Sequence, residues 1–363
     1  MGPKTLLGCN HVRISSLVES RWFPLVFVAI LAVVPLFTNN YFQFIFNLIL
    51  CYVLIGFGQN LILGYTGQFS FANAAFMGIG AYTTSIVFTL NVPILFALLS
   101  GGLLAAVVAC VVGLPALRLS RVYLALATIA FGEMTTWVLM HWTSVTKGGD
   151  GMYSPVPVIF GYALKTDAQK YFLIATICVL MVVLAQRILS SKFGRAFIAI
   201  RESETVASCN GINIPLYKTI AFALSGLYAG IGGGLYAIAV NYIVPDNYDL
   251  FQLVIHFALV MVGGLGSMYG VIVGALILTA LPELLREFKH YQEMLYGVLL
   301  ILFIVFIPRG VGGFLKDLRI LPREILVHGW RREIPHVQEA AKTAAVFNVG
   351  AGAEDRGAQT RTL

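Results

Sequence analysis

Polar and apolar positions along the chain separate into long blocks instead of alternating at short range. Charge-poor apolar runs occupy 22–37, 41–63, 71–90, 92–117, 122–140, 171–185, 219–243, 251–281 and 294–307. Most approach the ~20 residues that a helix needs to cross a hydrocarbon core about 30 Å thick. Lipid offers no partner to backbone N–H and C=O groups, so such runs fold as helices whose hydrogen bonds close internally. The run 251–281 is too long for one crossing and short for two. Its middle, Gly263-Gly264-Leu265-Gly266-Ser267, breaks or bends a helix, so two short crossings or a re-entrant hairpin are expected there. The predicted fold is all-α: a polytopic membrane protein with about ten transmembrane or half-membrane helices.

The first run needs separate treatment. Lys4, Arg13 and Arg21 precede 22–37 in the layout of a signal peptide. Thr38-Asn39-Asn40 follows without a small-residue cleavage site, and a second apolar run begins at once. An uncleaved first transmembrane helix is the reading that fits. Residues 1–21 then form an N-terminal segment, 22–318 the membrane domain, and 319–363 a polar tail expected to be flexible.

Orientation follows from the basic residues, which accumulate on the cytoplasmic side of membrane proteins. If 251–281 turns back on itself, both termini lie inside. The inner segments then hold three Lys and Arg before 22, two at Arg118 and Arg121, five over 187–218 and nine after 307. The outer segments hold five: Lys147, Lys165, Lys170, Arg286 and Lys289. A single crossing at 251–281 would place the nine C-terminal basic residues outside. Two polar connections stand out, an outer one at 141–170 and an inner one at 186–218. Within the latter, 195–208 has helical composition and Asn210-Gly211 is a stop signal, so one amphipathic helix on the cytoplasmic face is expected.

Composition excludes other classes. The chain of 363 residues is 58% hydrophobic and 11% charged, where soluble domains carry roughly a quarter charged residues. Its net charge of +7 is scattered between apolar runs and forms no continuous basic face, which argues against nucleic acid as a partner. The five cysteines include no C-x-x-C pair, so neither a disulfide framework nor a zinc site is legible.

Candidate chemistry is sparse. G-x-x-x-x-G-K-[ST], H-E-x-x-H and G-x-S-x-G are all missing, which removes a P-loop and the commonest hydrolase signatures. Glu133 is the only carboxylate within the apolar runs. An ionisable group in a membrane is costly and normally faces the bundle interior or water, so Glu133 is expected inside the bundle as a functional group, the plainer alternatives being a protonated or hydrogen-bonded structural residue or one near the interface. His256, alone in an apolar run, reads as packed and hydrogen-bonded. Asn47, Gln59, Asn60, Gln68 and Asn73 form a polar series around the second and third runs. Such amides can link helices or line the path of a polar solute. Gly226, Gly230 and Gly234 fall at intervals of four, as do Gly266, Gly270 and Gly274, a spacing that lets neighbouring helices approach closely, the alternative being a broken helix near a substrate path.

The stretch 58–70, GQNLILGYTGQFS, continued by Ala74 to Tyr82, resembles the permeases of branched-chain amino acid ABC importers, and so does 123–133, YLALATIAFGE. Further matches are 194–218, 262–270 and Pro308-Arg309-Gly310. Together they are similar to the M-type permease subunit rather than its H-type partner, over roughly 41–318.

This resemblance implies an ABC importer permease working with a second permease, two cytoplasmic ATPase subunits that bind the ATP and Mg, and a periplasmic solute-binding protein. The chain itself would hold no cofactor and would not be an enzyme. Permeases of this kind dock an E-A-A-x-x-x-G-like loop in a groove of the ATPase. The nearest match here is Glu204-Thr205-Val206-Ala207-Ser208-Cys209-Asn210-Gly211, in which Thr205 and Val206 replace small residues and Glu202 is an alternative acid. Glu202, Glu204, Ala207 and Gly211 are therefore the expected coupling residues. Glu133, Gln59, Asn60, Gln68 and Asn73 are the candidates for the solute path. The resemblance makes leucine, isoleucine and valine the default cargo, with other amino acids, amides or urea carried by related systems. An ion-coupled secondary transporter using Glu133 is the competing reading.

Overall fold

The computed structural model describes residues 39–284, apart from 91, 117–120, 155, 160–161 and 165, together with 294, 297, 298, 301, 310 and 311. The expected first span, most of 294–307 and the tail 319–363 lie outside the described residues. Among the described residues, helix α1 (Asn40–Asn60) is prolonged by a π-helical turn, Leu61–Tyr65. It is followed by α2 (Asn73–Thr89), α3 (Ile94–Ala116), α4 (Arg121–His141) and the single turn α5 (Thr143–Thr146). Then come α6 (Asp167–Ser190), α7 (Lys192–Glu202), α8 (Glu204–Cys209), α9 (Ile214–Val240), α10 (Leu250–Gly263) and α11 (Met268–Leu284). Among these, α1, α3, α4, α6 and α9 are long and apolar enough to cross a membrane, and the chain is a multi-pass membrane protein.

α9 is the central helix. Asn213 caps it by accepting from the Leu216 N–H, with Pro215 in the first turn, where a missing N–H costs nothing. It packs against α1, α2 and α3, and a row of glycines makes the closest part of that contact. A Cβ placed on Gly226 would lie 2.5 Å from that of Ala109, and one on Gly230 2.6 Å from that of Ala105. One on Gly234 would lie 2.5 Å from Thr84 Oγ1. The expected packing role of this glycine series is borne out: the backbones stand so close that only glycine fits.

The run 251–281 divides as its glycines predict. Fourteen residues of α10 and seventeen of α11 rise about 21 and 25 Å, each less than the hydrocarbon thickness. The two helices pack on each other, with Gly270 and Gly274 of α11 against the backbone of Gly263 and Leu259. Gly266 departs from the expected stripe. It sits in the turn between the helices at φ +75°, where its role is backbone conformation.

The 141–170 connection adds what an all-α reading omits. Strand β1 (Met152–Tyr153) pairs antiparallel with β4 (Tyr242–Ile243), Met152 opposite Ile243, while β2 (Val158–Ile159) and β3 (Tyr162–Ala163) form a two-residue hairpin. Lys170, buried near the start of α6, donates at 2.7 Å to Oδ1 of Asn241, the residue that ends α9 in the left-handed conformation. These contacts tie the two connections together.

Candidate coupling surface and solute path

The 186–218 segment is built differently from expectation. Instead of one helix over 195–208 it forms two, α7 and α8, broken at Ser203. Ser203 is extended (φ −162°, ψ 118°) and its hydroxyl accepts from the Val206 N–H, so the side chain begins a new helix where backbone bonds could have continued the old one. Ser191 caps α7 in the same manner through the Phe193 N–H. Asn210 ends α8, and Gly211 follows at φ +76° with nothing within 4 Å of where its Cβ would stand. The stop signal is therefore correct, and it rests on backbone conformation rather than on space.

The expected coupling residues face different ways. Glu202 is exposed. Glu204 is engaged within the chain, holding the Lys218 ammonium at 2.8 and 2.9 Å. Ala207 is 2% exposed and packs inward, whereas Val206 is 60% exposed. Of the two apolar residues expected to meet a partner, Val206 therefore points outward, while Ala207 is buried in the wall of the adjoining groove. A groove of about 700 Å³ runs beside this elbow, lined among others by Lys192, Arg195, Ala199, Glu202, Val206 and Tyr217.

All five amides are buried, and four of them are bonded between elements. Gln59 donates to the Ser70 carbonyl at 2.8 Å and Asn73 to that of Ile55 at 3.2 Å, tying α1 to the segment that leads into α2. Asn60 bridges to the α10–α11 turn: its Oδ1 accepts from the Gly266 N–H at 2.9 Å and its Nδ2 donates to the Ser267 carbonyl at 3.4 Å. Asn47 donates to the Asp167 carbonyl at the start of α6. Gln68 is buried after the π-helical turn, its N–H bonded to the Ile62 carbonyl. The bonds of Asn47, Gln59, Asn60 and Asn73 thus link elements of the bundle. His256 is packed as expected: Asn73 Nδ2 stands 3.5 Å from its Nδ1, and the Gln252 amide lies 3.0 Å from its Nε2.

Glu133 is the main correction. Its predicted place was the bundle interior; it lies exposed on the outer side of α4, beside Ala130, Met134 and Trp137. The inward face of that helix is filled by Leu124, Thr128, Thr135, Thr136 and Leu139. Thr128 receives the Phe71 N–H at 2.9 Å and Thr136 bonds the Tyr248 carbonyl at 3.0 Å, so the threonines fix the rotation of α4 and leave Glu133 outside. The sequence could not reveal this, because the helix is apolar nearly all round. Sequence reading also missed Arg201, whose guanidinium donates to the Gly64 carbonyl inside the π-helical turn.

The comparisons agree with this architecture. A family model described as branched-chain amino acid transport system / permease component matches residues 41–307. The permease protein LivM of the high-affinity branched-chain amino acid transport system of Escherichia coli K12 is 30% identical over 342 residues, covering 85% of this chain and 78% of that protein. LivM of Salmonella typhimurium is 28% identical with the same coverage. LivH of Escherichia coli K12, another permease of such a system, is 25% identical over 286 residues, covering 72% and 91%. No solved structure matches. The long apolar helices, the glycine-lined centre and the higher identity to LivM than to LivH converge on one conclusion. The chain belongs to the permease family of branched-chain amino acid transport systems, on its M-type side, and is a transport component rather than an enzyme.

Proposed function

We propose that the chain is one of two transmembrane subunits of an ATP-driven importer for branched-chain amino acids, and that the solute passes between it and a second permease. In this reading two cytoplasmic ATPases bind ATP and Mg and meet the elbow formed by α7 and α8. A periplasmic binding protein delivers the amino acid. The chain spans the inner membrane with both termini in the cytoplasm, and lipid covers the apolar outer faces of α3 and α6.

The observation that carries the shared path is the outward position of Glu133. A carboxylate at membrane depth needs water or a polar partner, and among the described residues no such partner faces it, since the inward face of α4 is closed by Leu124, Leu139 and the bonded threonines. A second permease laid against α4 would enclose Glu133 in a polar seam, where it can meet the ammonium group of a passing amino acid. The cargo is taken from the names of the LivM relatives.

The test is reconstitution. The chain is co-expressed with its neighbouring permease, ATPases and binding protein, and leucine uptake into proteoliposomes is followed with and without ATP. Uptake that needs all partners and ATP supports the proposal. ATP-independent uptake by this chain alone would replace it with the secondary-transport reading.

A further inference from the structure

We propose that Arg201 is a strut that carries movement of the α7–α8 elbow into the membrane helices, and that the turn between α10 and α11 is the element it drives. The inference rests on the reading of 186–218 as the segment that meets the ATPases.

Arg201 stands in the last turn of α7, immediately before the break at Ser203. It is half-buried and among the described residues forms no ion pair. Its guanidinium donates to the Gly64 carbonyl, in the π-helical turn that prolongs α1. Two glycines make room for the side chain. A Cβ on Gly67 would lie 3.2 Å from Arg201 Cγ, and one on Gly266 would lie 2.8 Å from Arg201 Nη1. Both glycines have positive φ, +67° and +75°, so backbone conformation and space demand glycine together.

The same π-helical turn is joined to the hairpin by Asn60. Its amide accepts from Gly266 and donates to Ser267, spanning more than 200 residues of sequence. It also fills the place where a Cβ on Gly64 would stand. Arg201, Gly64, Asn60 and Gly266 therefore form one continuous chain of contacts from the elbow to the α10–α11 turn. Gly310 closes the far side, where a Cβ would run into Gly264.

The physical reasoning is about stiffness. A guanidinium bonded to a carbonyl at the end of a helix transmits a push along the helix axis. A π-helical turn holds one residue more than an α-helical turn and is a recurrent site of functional adjustment. α10 and α11 are short, and their link is a glycine turn. The stiff element thus bears on the most easily rearranged one. The long helices α1, α3 and α9, locked at the glycine face, form the frame against which it moves.

The test separates transmission from mere support. The full complex is reconstituted with Arg201→Ala or Arg201→Lys, and ATP hydrolysis and leucine uptake are measured on the same vesicles. Expected for Arg201→Ala are retained ATPase subunits, hydrolysis close to wild type, and uptake per ATP lower by roughly tenfold, the scale of one hydrogen bond from a charged donor. Arg201→Lys, which can still bond the carbonyl, should recover part of the loss. In parallel, hydrogen exchange on the wild-type complex should change together at 61–68 and 264–268 when ATP is trapped. Unchanged uptake per ATP in Arg201→Ala overturns the strut. If that variant does not assemble, a wild-type complex in which either segment ignores ATP overturns it. A cysteine at Val206 that fails to cross-link to the ATPase overturns the docking reading instead. The cross-link with normal coupling in Arg201→Ala removes the strut alone.

Discussion

Replacing Glu133 by leucine should make the isolated chain more stable and the assembled importer inactive. Glu133 lies twelve residues beyond Arg121, the first residue of α4, which places it about 18 Å along the helix axis and well inside a hydrocarbon core of about 30 Å. Its side chain points away from the bundle, so in the chain alone it meets lipid. At the centre of a membrane helix an acidic residue costs roughly 2.5–3.5 kcal/mol and a leucine contributes about −0.3 to −0.6 kcal/mol. Their difference is about 3–4 kcal/mol, and protonation and displacement towards the interface lower it. Glu133→Leu expressed without partners should therefore insert α4 more efficiently and unfold at a higher temperature. In the complete complex the same change removes this carboxylate from the proposed permease seam, and leucine uptake should fall sharply while the subunits still co-purify. Glu133→Gln should give an intermediate result on both measurements. An isolated Glu133→Leu chain no more stable than wild type, in a complex that transports normally, would refute the reasoning: the carboxylate would then sit at the headgroups and outside the path.

Three further outcomes follow from particular contacts. Gly80→Ala drives a methyl into the Gly230 backbone and should lower stability by about 1–3 kcal/mol, whereas Gly149→Ala, with nothing within 4 Å, should stay within about 0.5 kcal/mol; thermal unfolding of the purified chain compares them. Glu204→Gln leaves the Lys218 ammonium, whose side chain is only 10% exposed, without its carboxylate. A double-mutant cycle with Lys218→Met should give a coupling of about 1 kcal/mol, because Glu204 itself is 42% exposed and solvent-screened. Reporter fusions within 148–153 and at Ser191 should report opposite sides of the membrane, periplasm and cytoplasm in turn; the same side for both would mean that α6 does not cross.

The spans were legible because lipid imposes a composition on every residue of a crossing. The run 92–117 became Ile94–Ala116 and 122–140 became Arg121–His141. The break in 251–281 was equally legible, since Gly263 to Gly266 carry backbone preferences of their own. The rotation of α4 was not, because an apolar helix with one carboxylate gives no periodic signal to show which side is inside. The single helix expected over 195–208 failed at Ser203: a serine within helix-compatible residues reads as tolerated, and only the Val206 N–H turning to its hydroxyl makes it a cap. The role of Arg201 and the partners of Asn60 were hidden for another reason. Their partners lie 137 and more than 200 residues away, and no local pattern announces a bond of that length.

The bond between Asn60 and Gly266 also sets a timetable. A ribosome adding about 5–20 residues per second needs roughly 10–40 s to travel from Asn60 to its partner 206 residues later. α1 reaches the insertion machinery with Asn47, Gln59 and Asn60, and through that interval Asn60 has neither of its native acceptor and donor groups. A polar amide stranded in hydrocarbon is costly, so the nascent helix gains by lingering in the aqueous groove of the insertase until α9, α10 and α11 arrive. A chain truncated before Gly266 should therefore be degraded faster in a pulse-chase experiment than the full chain, although α1 is present in both.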